Sequence, residues 1–157
     1  MVRLRPHHLL CILTFAGKGY SPGFVQNLQQ VVDRIAHTDD PILIVDGPDD
    51  ICAPLLTPQQ DEATCHCLQP SVQQRDHLAA EALTNLLQLP IQPGQTLQLQ
   101  PPTLHLMRTA FAAGTLRAAC NGCQWKPFCD SIAHSNFTGT RLLLPNPRNA
   151  PETKLAQ

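Results

Sequence analysis

The sequence contains few charged residues and no surplus of either sign. Charged side chains make up 15% of the 157 residues and the formal net charge is -1, whereas a typical soluble domain is about 25% charged. A nucleic-acid-binding chain concentrates lysine and arginine on one face, and a membrane-surface protein carries a polybasic patch. The sequence has neither feature, so nucleic acid and membrane are not favoured as partners.

Long apolar runs are also missing. No stretch approaches the roughly 20 consecutive apolar residues that a membrane-spanning helix needs. The opening MVRLRPHHLLCILTFAGKGY has two arginines before an apolar run, but His7 and His8 interrupt the run, Gly17 ends it, and no small-residue cleavage site follows. We therefore expect no signal peptide and no membrane segment, and a cytoplasmic protein.

Cysteine, by contrast, is plentiful, with seven residues. A chain of 157 residues buries enough apolar surface to fold without covalent staples. In the reducing cytoplasm, clustered cysteines bind metal or carry out redox chemistry more often than they form structural disulfides, and an odd total cannot pair completely. The cysteines therefore indicate a metal-binding or redox protein.

The pattern of apolar residues predicts a mainly helical α+β fold. Apolar residues recur at spacings of three and four after Ser21 and again after Ser71, and we expect each serine to cap a helix. Two further helices are predicted to begin at Pro6 and after Thr103, and the last of them is expected to run to Cys120.

Only two segments have the pattern of strands. The apolar run ILIV (residues 42–45) is followed by a turn, and the alternation in TLQLQ (residues 96–100) predicts a second, weaker strand. The segment DSIAH (residues 130–134) is expected to add a turn of helix. We expect one small domain over residues 1–144, and a disordered, proline-punctuated tail over residues 145–157.

The run CNGCQWKPFC is the strongest motif in the chain. Its cysteines, Cys120, Cys123 and Cys129, have the spacing C-x2-C-x5-C. The first two are spaced for a knuckle whose turn directs both sulfurs at one ion, and Cys129 can fold back after Pro127. A closed thiolate site and an iron-sulfur cubane both take four ligands, so a fourth ligand must come from elsewhere in the chain.

The same run resembles the iron-sulfur staple of the AddB-type nucleases, in which a distant upstream cysteine completes the ligand set. Trp125 occupies the aromatic position of that staple. No nuclease set of carboxylates and lysine accompanies the motif, so the resemblance implies the source of the fourth ligand and not an activity. Cys11, on the first predicted helix, is the candidate that it points to.

The whole chain resembles the domain of unknown function 1284 family of bacteria and archaea. The resemblance covers roughly residues 3–142, through RLRPHHLLCILTFAGKGYSPGF, VDGPDDICAPL, CHCLQPSVQQRDHLA and GTLRAACNGCQWKPFC. It implies an iron-sulfur protein, and it leaves Cys67 as an extra cysteine. The residues at family cysteine positions are Cys11, Cys52, Cys65, Cys120, Cys123 and Cys129.

Two ligand arrangements follow from these resemblances. In the favoured one, Cys11 completes the C-terminal triplet because a helix holds its side chains rigidly. A second ion or cluster would then be held by Cys52, Cys65 and Cys67, with His66 as a further candidate ligand. In the other arrangement, Cys52 or Cys65 is the fourth ligand of the triplet and Cys11 belongs to the core.

Tetrahedral sulfur sites suit both iron-sulfur clusters and zinc. The triplet with its aromatic residue, the low charge density and the family resemblance favour an iron-sulfur cluster, of the 4Fe-4S type, over zinc. The predicted function is therefore a redox, electron-transfer or sensor role, together with a redox partner protein. The alternatives are a zinc-stapled binding module and a small enzyme.

His7 and His8 are the candidates for chemistry in the enzyme alternative. Neighbouring residues on a helix point about 100° apart, so the two side chains do not easily serve one site. They are either polar residues of a first helical turn, or one of them is a proton donor or ligand close to the cluster.

Two other polar groups are expected to be structural. The aspartates of DGPDDIC, which include Asp49 and Asp50, are expected to form turns by capping their own backbone. Arg75, Asp76 and His77 are expected to form a solvated face of the third helix.

Overall fold

The computed structural model describes residues 1–55 and 69–144. Within these ranges the chain forms five α-helices and one three-stranded sheet, which confirms the predicted mainly helical α+β fold. None of these helices combines the length and the apolar character that crossing a membrane requires. The predicted tail, residues 145–157, lies outside the described residues. The elements are β1 (Val2–Leu4), α1 (His8–Thr14), α2 (Pro22–His37), β2 (Ile42–Ile44), α3 (Pro70–Leu87), β3 (Thr96–Leu97), α4 (Pro101–Ala113) and α5 (Lys126–His134).

The sheet has β2 at its centre. Ile42 lies opposite Val2 of the parallel strand β1 and opposite Leu97 of the antiparallel strand β3. Both predicted strands are confirmed, although β3 is only 2 residues long. The sequence gives no strand signal for β1, because its 3 residues alternate between buried and exposed over too short a span to be recognised.

The second helix agrees closely with its prediction. Ser21 Oγ accepts a hydrogen bond of 3.1 Å from the backbone N–H of Phe24, and Pro22 occupies the first turn, where its missing N–H costs nothing. The predicted apolar stripe is buried and packs against the core. Its buried members are Phe24, Leu28, Val31, Val32, Ile35 and Ala36.

The predicted caps of the next two long helices are wrong. We expected Ser71 and Thr103 to cap α3 and α4, but the helices begin earlier, at Pro70 and Pro101. A proline needs no hydrogen-bond partner for its nitrogen and has its φ fixed near the helical value, so it is preferred inside the first turn. The hydroxyl residues therefore lie within the helices.

The expected run of α4 to Cys120 is also wrong. The helix ends at Gly114, which has a φ of 89° and whose N–H bonds back to the last turn. A short 3-10 helix, Ala118–Cys120, then presents Cys120. The expected turn at residues 130–134 belongs to α5, which begins earlier and also carries Cys129.

Packing brings the two termini of the described chain together. Helix α1 packs against α4 and α5. The Arg108 guanidinium on α4 donates to the Leu13 carbonyl at 3.3 Å, to Thr140 Oγ1 at 3.1 Å and to the Leu142 carbonyl at 3.1 Å. The N-terminal helix is thereby fixed beside the segment that carries the C-terminal cysteines.

Candidate metal centre

A cavity of about 140 Å³ opens along one face of α1. His7, Cys11 and Thr14, spaced i, i+4 and i+7, line it, as residues on one helical face do. We call the part formed by Cys11, Cys120, Cys123 and Cys129 the cysteine end. We call the part formed by His7, His8 and Arg75 the histidine end.

The cysteine end unites the four cysteines of the favoured ligand arrangement. Cys120 ends the 3-10 helix, the N–H of Cys123 bonds to the Cys120 carbonyl at 3.0 Å, and Cys129 lies in the first turns of α5. These consecutive turns fold the CNGCQWKPFC run back toward α1. Four thiols from the two ends of the described chain therefore line one cavity.

The thiols influence one another electrostatically. The Cys11 side chain is exposed, but onto the cavity, where protein groups surround the sulfur. This enclosure raises the pKa of Cys11 well above its ordinary value, and Cys129, Cys123 and Cys120 raise it further because neighbouring thiolates repel one another. A bound cation or cluster would relieve this repulsion, since metal sites take cysteine as the thiolate.

The sulfurs of the cysteine end are spread apart. In the part of the chain that the structure describes, the one group of three ligand atoms within 4.8 Å of one another consists of His8, Asp49 and Cys52. No three sulfurs of the cysteine end are therefore as close as that.

Arg117 supplies a positive charge beside the cysteine end. Its Nη2 lies 2.7 Å from Asp130 Oδ1, and its guanidinium lies over the Phe111 ring at 4.2 Å from the ring centroid. Burial alone would lower the pKa of Arg117, but the Cys120 thiol and Asp130 hold it above its usual value. Its Nε is buried and has no hydrogen-bond acceptor among the described residues.

Thr14 contacts the cysteine end from α1. Its Oγ1 lies 3.2 Å from Cys129 Sγ, within hydrogen-bonding distance for sulfur. Burial raises the pKa of Cys129, and the hydroxyl of Thr14 opposes that shift. The hydroxyl is thus placed to donate to a thiolate.

At the histidine end, Asp76 joins α3 to the start of α1. Its Oδ1 lies 2.6 Å from His7 Nδ1, and its Oδ2 accepts a hydrogen bond of 2.8 Å from Nε of the buried Arg5. Burial would raise the pKa of Asp76, but the hydrogen bonds from His7 and Arg5 hold it below its usual value. The prediction of a solvated face is wrong for Asp76.

Asp49 holds the second histidine. Its Oδ2 lies 2.7 Å from His8 Nδ1 and accepts the backbone N–H of Arg5 at 2.7 Å, while its Oδ1 accepts the N–H groups of Ile51 at 3.0 Å and Cys52 at 3.2 Å. Burial would raise the pKa of Asp49, yet these partners hold it below its ordinary value. The expected turn-forming role is confirmed for Asp49, which also orients His8.

His8, Asp49 and Cys52 are close enough together to hold a metal ion. A carboxylate has about four acceptor positions, however, and the four hydrogen bonds on Asp49 use all of them. An ion there would have to displace hydrogen bonds that are already made.

Only one residue of the predicted second metal site, Cys52, lies among the described residues. Cys52 is buried, lies near Asp49 and is not among the described residues that line the cavity. Cys65, His66 and Cys67 lie outside the described residues. A site that combines these residues stays a prediction.

Sequence reasoning did not identify Asp76, Arg117 or Thr14 as site residues. Asp76 had a usable signal, because it shares the α3 face of the buried Val72, Ala79 and Leu83 at helical spacing. Arg117 and Thr14 had no such sequence signal, since neither position departs from an ordinary helix or turn pattern. Their role depends on which distant cysteine lies beside them.

A protein-family model described as "Protein of unknown function (DUF1284)" matches residues 19–129. The matched range includes the CNGCQWKPFC run and begins after Cys11 and the two histidines. Searches of curated proteins and of solved structures found no match.

Proposed function

The chain belongs to the DUF1284 family of proteins of unknown function, and we propose that it binds an iron-sulfur cluster at the cysteine end of its cavity. The observation that carries the proposal is the convergence of four thiols on one cavity. Cys11 comes from α1 and the other three from the C-terminal run, and a 4Fe-4S cluster is held by four cysteine thiolates.

The spacing of the thiols favours a cluster over a single zinc ion. Zn–S bonds of about 2.3 Å in a tetrahedron place the sulfurs about 3.8 Å apart. No three sulfurs of the cysteine end lie within 4.8 Å of one another, whereas a cubane distributes its thiolates over separate irons. The cavity, about 140 Å³ in volume, also exceeds what one ion needs, since about 10–15 Å³ of such space holds a water.

Arg117 provides an independent test of whether the cysteine end suits an iron-sulfur cluster. A buried donor without an acceptor is costly, and Arg117 Nε is such a donor in the described chain, on a guanidinium that interacts with the Cys120 thiol. Hydrogen bonds to sulfur are one of the means by which proteins adjust iron-sulfur clusters. A cluster at this position would bring sulfur acceptors close to that nitrogen.

Aromatic side chains line the same cavity. The Trp125 ring lies 5.4 Å from Tyr20 and 6.3 Å from Phe128, and the Tyr20 ring lies 5.2 Å from Phe24, between ring centroids. All four rings line the cavity. Exclusion of solvent is a determinant of cluster potential, so these rings would set it together with Arg117.

A cluster of this type supplies one-electron transfer, so we propose a redox, electron-transfer or sensor role with a partner protein as electron donor or acceptor. The chain contributes the thiolates, the Arg117 charge, the Thr14 hydroxyl and the aromatic rings that line the cavity. A zinc-stapled module is the alternative.

The test is anaerobic purification followed by visible spectroscopy and assays of iron and acid-labile sulfide. We expect a coloured protein with about four irons and four sulfides per chain. Cys11→Ser should lose most of both, whereas Cys52→Ser, the matched control, should keep them. A colourless protein with one zinc would favour the zinc-stapled module. The reverse pattern in the two variants would assign the fourth ligand to Cys52.

A further inference from the structure

The histidine end presents two imidazoles in a fixed orientation. Each uses Nδ1 for a carboxylate, His7 at 2.6 Å from Asp76 and His8 at 2.7 Å from Asp49. An ionised carboxylate can only accept a hydrogen bond, so Nδ1 carries the proton and Nε2 of the neutral ring is left as an acceptor. Neither Nε2 has a hydrogen-bond partner among the described residues, although both rings line the cavity.

The His7 ring stays neutral at pH 7. Burial lowers the pKa of His7 to about 4, although Asp76 opposes the shift. The charges of His8 and Arg5 lower the pKa of His7 further. At pH 7 the Nε2 of His7, which has no partner among the described residues, therefore accepts a hydrogen bond and does not donate one.

Arg75 adds a positive charge to the same end. It is half-buried, lines the cavity, and forms no ion pair with the described residues. The described lining of the cavity includes Lys18 and Lys126 but no aspartate or glutamate, and Lys126 is already paired with Asp130 at 3.0 Å. Arg75 is thus the half-buried cation at this end whose charge is not balanced by a described carboxylate.

The histidine end is adjacent to the cysteine end. The N–H of Cys11 bonds to the His7 carbonyl at 3.3 Å, so the two residues are one helical turn apart. One turn corresponds to a rise of about 5.4 Å along the axis. A small molecule at the histidine end would lie beside any group held by the thiols.

We propose that the histidine end binds a small hydroxycarboxylate, whose hydroxyl donates to the free Nε2 of His7 and whose carboxylate pairs with Arg75. An Nε2 acceptor without a donor among the described residues favours a ligand with an O–H group, and a guanidinium without a described counter-charge favours a negatively charged one. Arg is suited to this role because its planar fork can bind a carboxylate bidentately. Binding does not depend on the cluster, whereas redox use of the ligand rests on the proposed function.

Glycolate is the probe and acetate, which lacks the hydroxyl, is its matched control. Calorimetric titration of the purified wild-type protein should show glycolate binding at least about tenfold more tightly than acetate, a ratio worth about 1.4 kcal/mol. Arg75→Gln should weaken glycolate binding about tenfold or more, whereas Arg34→Gln, at a position that does not line the cavity, should leave it unchanged. His7→Gln should abolish the preference for glycolate over acetate.

The outcomes separate this inference from the cluster proposal. A protein without iron that binds glycolate as described would overturn the cluster and support the ligand site. An iron-loaded protein that binds both acids equally, or in which Arg75→Gln has no effect, would overturn the ligand site alone. Iron content and circular dichroism of each variant identify any loss that comes from misfolding, and His8→Gln then provides a second test of the imidazole acceptors.

Discussion

The two ends of the cavity share α1 but are stabilised differently. At the histidine end, each imidazole has its carboxylate and the buried Arg5 has Asp76, so the polar groups are paired by the protein itself. At the cysteine end, burial raises the pKa of Cys11 and of Cys129, neighbouring cysteines raise both further, and the buried Nε of Arg117 has no acceptor in the described chain.

The difference indicates what holds each end of the cavity in place. Buried polar groups in native proteins are nearly always satisfied, so the Arg117 Nε without an acceptor in the described chain and the four clustered thiols favour a bound group at the cysteine end. At the histidine end, both Nδ1 atoms and the buried Arg5 are already paired, so these contacts form a rigid support for the ligand that His7 Nε2 and Arg75 would bind. Variants at the histidine end should therefore affect folding, and variants at the cysteine end should mainly affect the bound group.

The largest effect on folding is expected from Asp76→Asn. The substitution leaves the Arg5 guanidinium, which is fully buried, without its counter-charge. Breaking a buried ion pair by neutralising one partner typically costs about 3–5 kcal/mol. Urea unfolding followed by circular dichroism, compared with wild type at equal iron content, should show a loss of this size.

Asp40→Asn is the matched control for that substitution. Asp40 pairs with the N-terminal amine at 3.3 Å, but the pair is exposed, and such pairs contribute about 0–1 kcal/mol. If the two variants lose similar stability, the histidine end is not the rigid support that we describe.

A smaller effect is expected from the titration of His7. The pKa of His7 is about 4 in the folded chain and about 6.5 when unfolded. Between these values the unfolded chain takes up a proton that the folded chain does not, so stability is full above about pH 6.5 and falls as the pH drops to 4. The loss is about 3 kcal/mol, from 1.36 kcal/mol per pKa unit.

His7→Gln should remove most of this pH dependence, because glutamine does not titrate. The exposed His105, on α4, is the control, and His105→Gln should keep the wild-type slope. Unfolding free energies measured at several pH values between 4 and 7 give the slopes. An unchanged slope in His7→Gln would show that His7 is not a buried neutral histidine.

Much of the fold could be predicted because its signals are local. Ser21 followed by Pro22 and an apolar stripe defines α2 without reference to any other element. The predicted starts of α3 and α4 lie after the observed ones at Pro70 and Pro101. In each case a nearby hydroxyl residue competes with a proline for the same boundary. The end of α4 is less local, because the left-handed conformation of Gly114 depends on the segment that follows.

The site could be predicted only where its residues lie close together in the sequence. The spacing of Cys120, Cys123 and Cys129 is readable from a ten-residue run. The hydrogen bond between Arg5 and Asp76 joins positions 71 residues apart, and the one between His8 and Asp49 joins positions 41 apart. Such pairs are decided by how helices pack, and a single sequence contains no direct signal for them.

At the cysteine end, Arg117→Gln is expected to have the smallest effect, and one that is visible only with the cluster bound. Reduction adds negative charge, so the guanidinium beside Cys120 favours the reduced state. Its removal should lower the midpoint potential by about 60 mV, which corresponds to about 1.4 kcal/mol for one electron. Redox titration at equal iron content, followed by electron paramagnetic resonance, measures the shift.

Arg117→Lys separates charge from hydrogen bonding at that position. A lysine keeps the positive charge but not the planar donors, including the buried Nε. If charge alone sets the potential, the lysine variant should match wild type, and if the Nε donor contributes, its potential should fall between wild type and Arg117→Gln. Equal potentials in all three proteins would mean that Arg117 only contacts Phe111 and Asp130, and that it neither donates a hydrogen bond to the cluster nor changes its potential by charge.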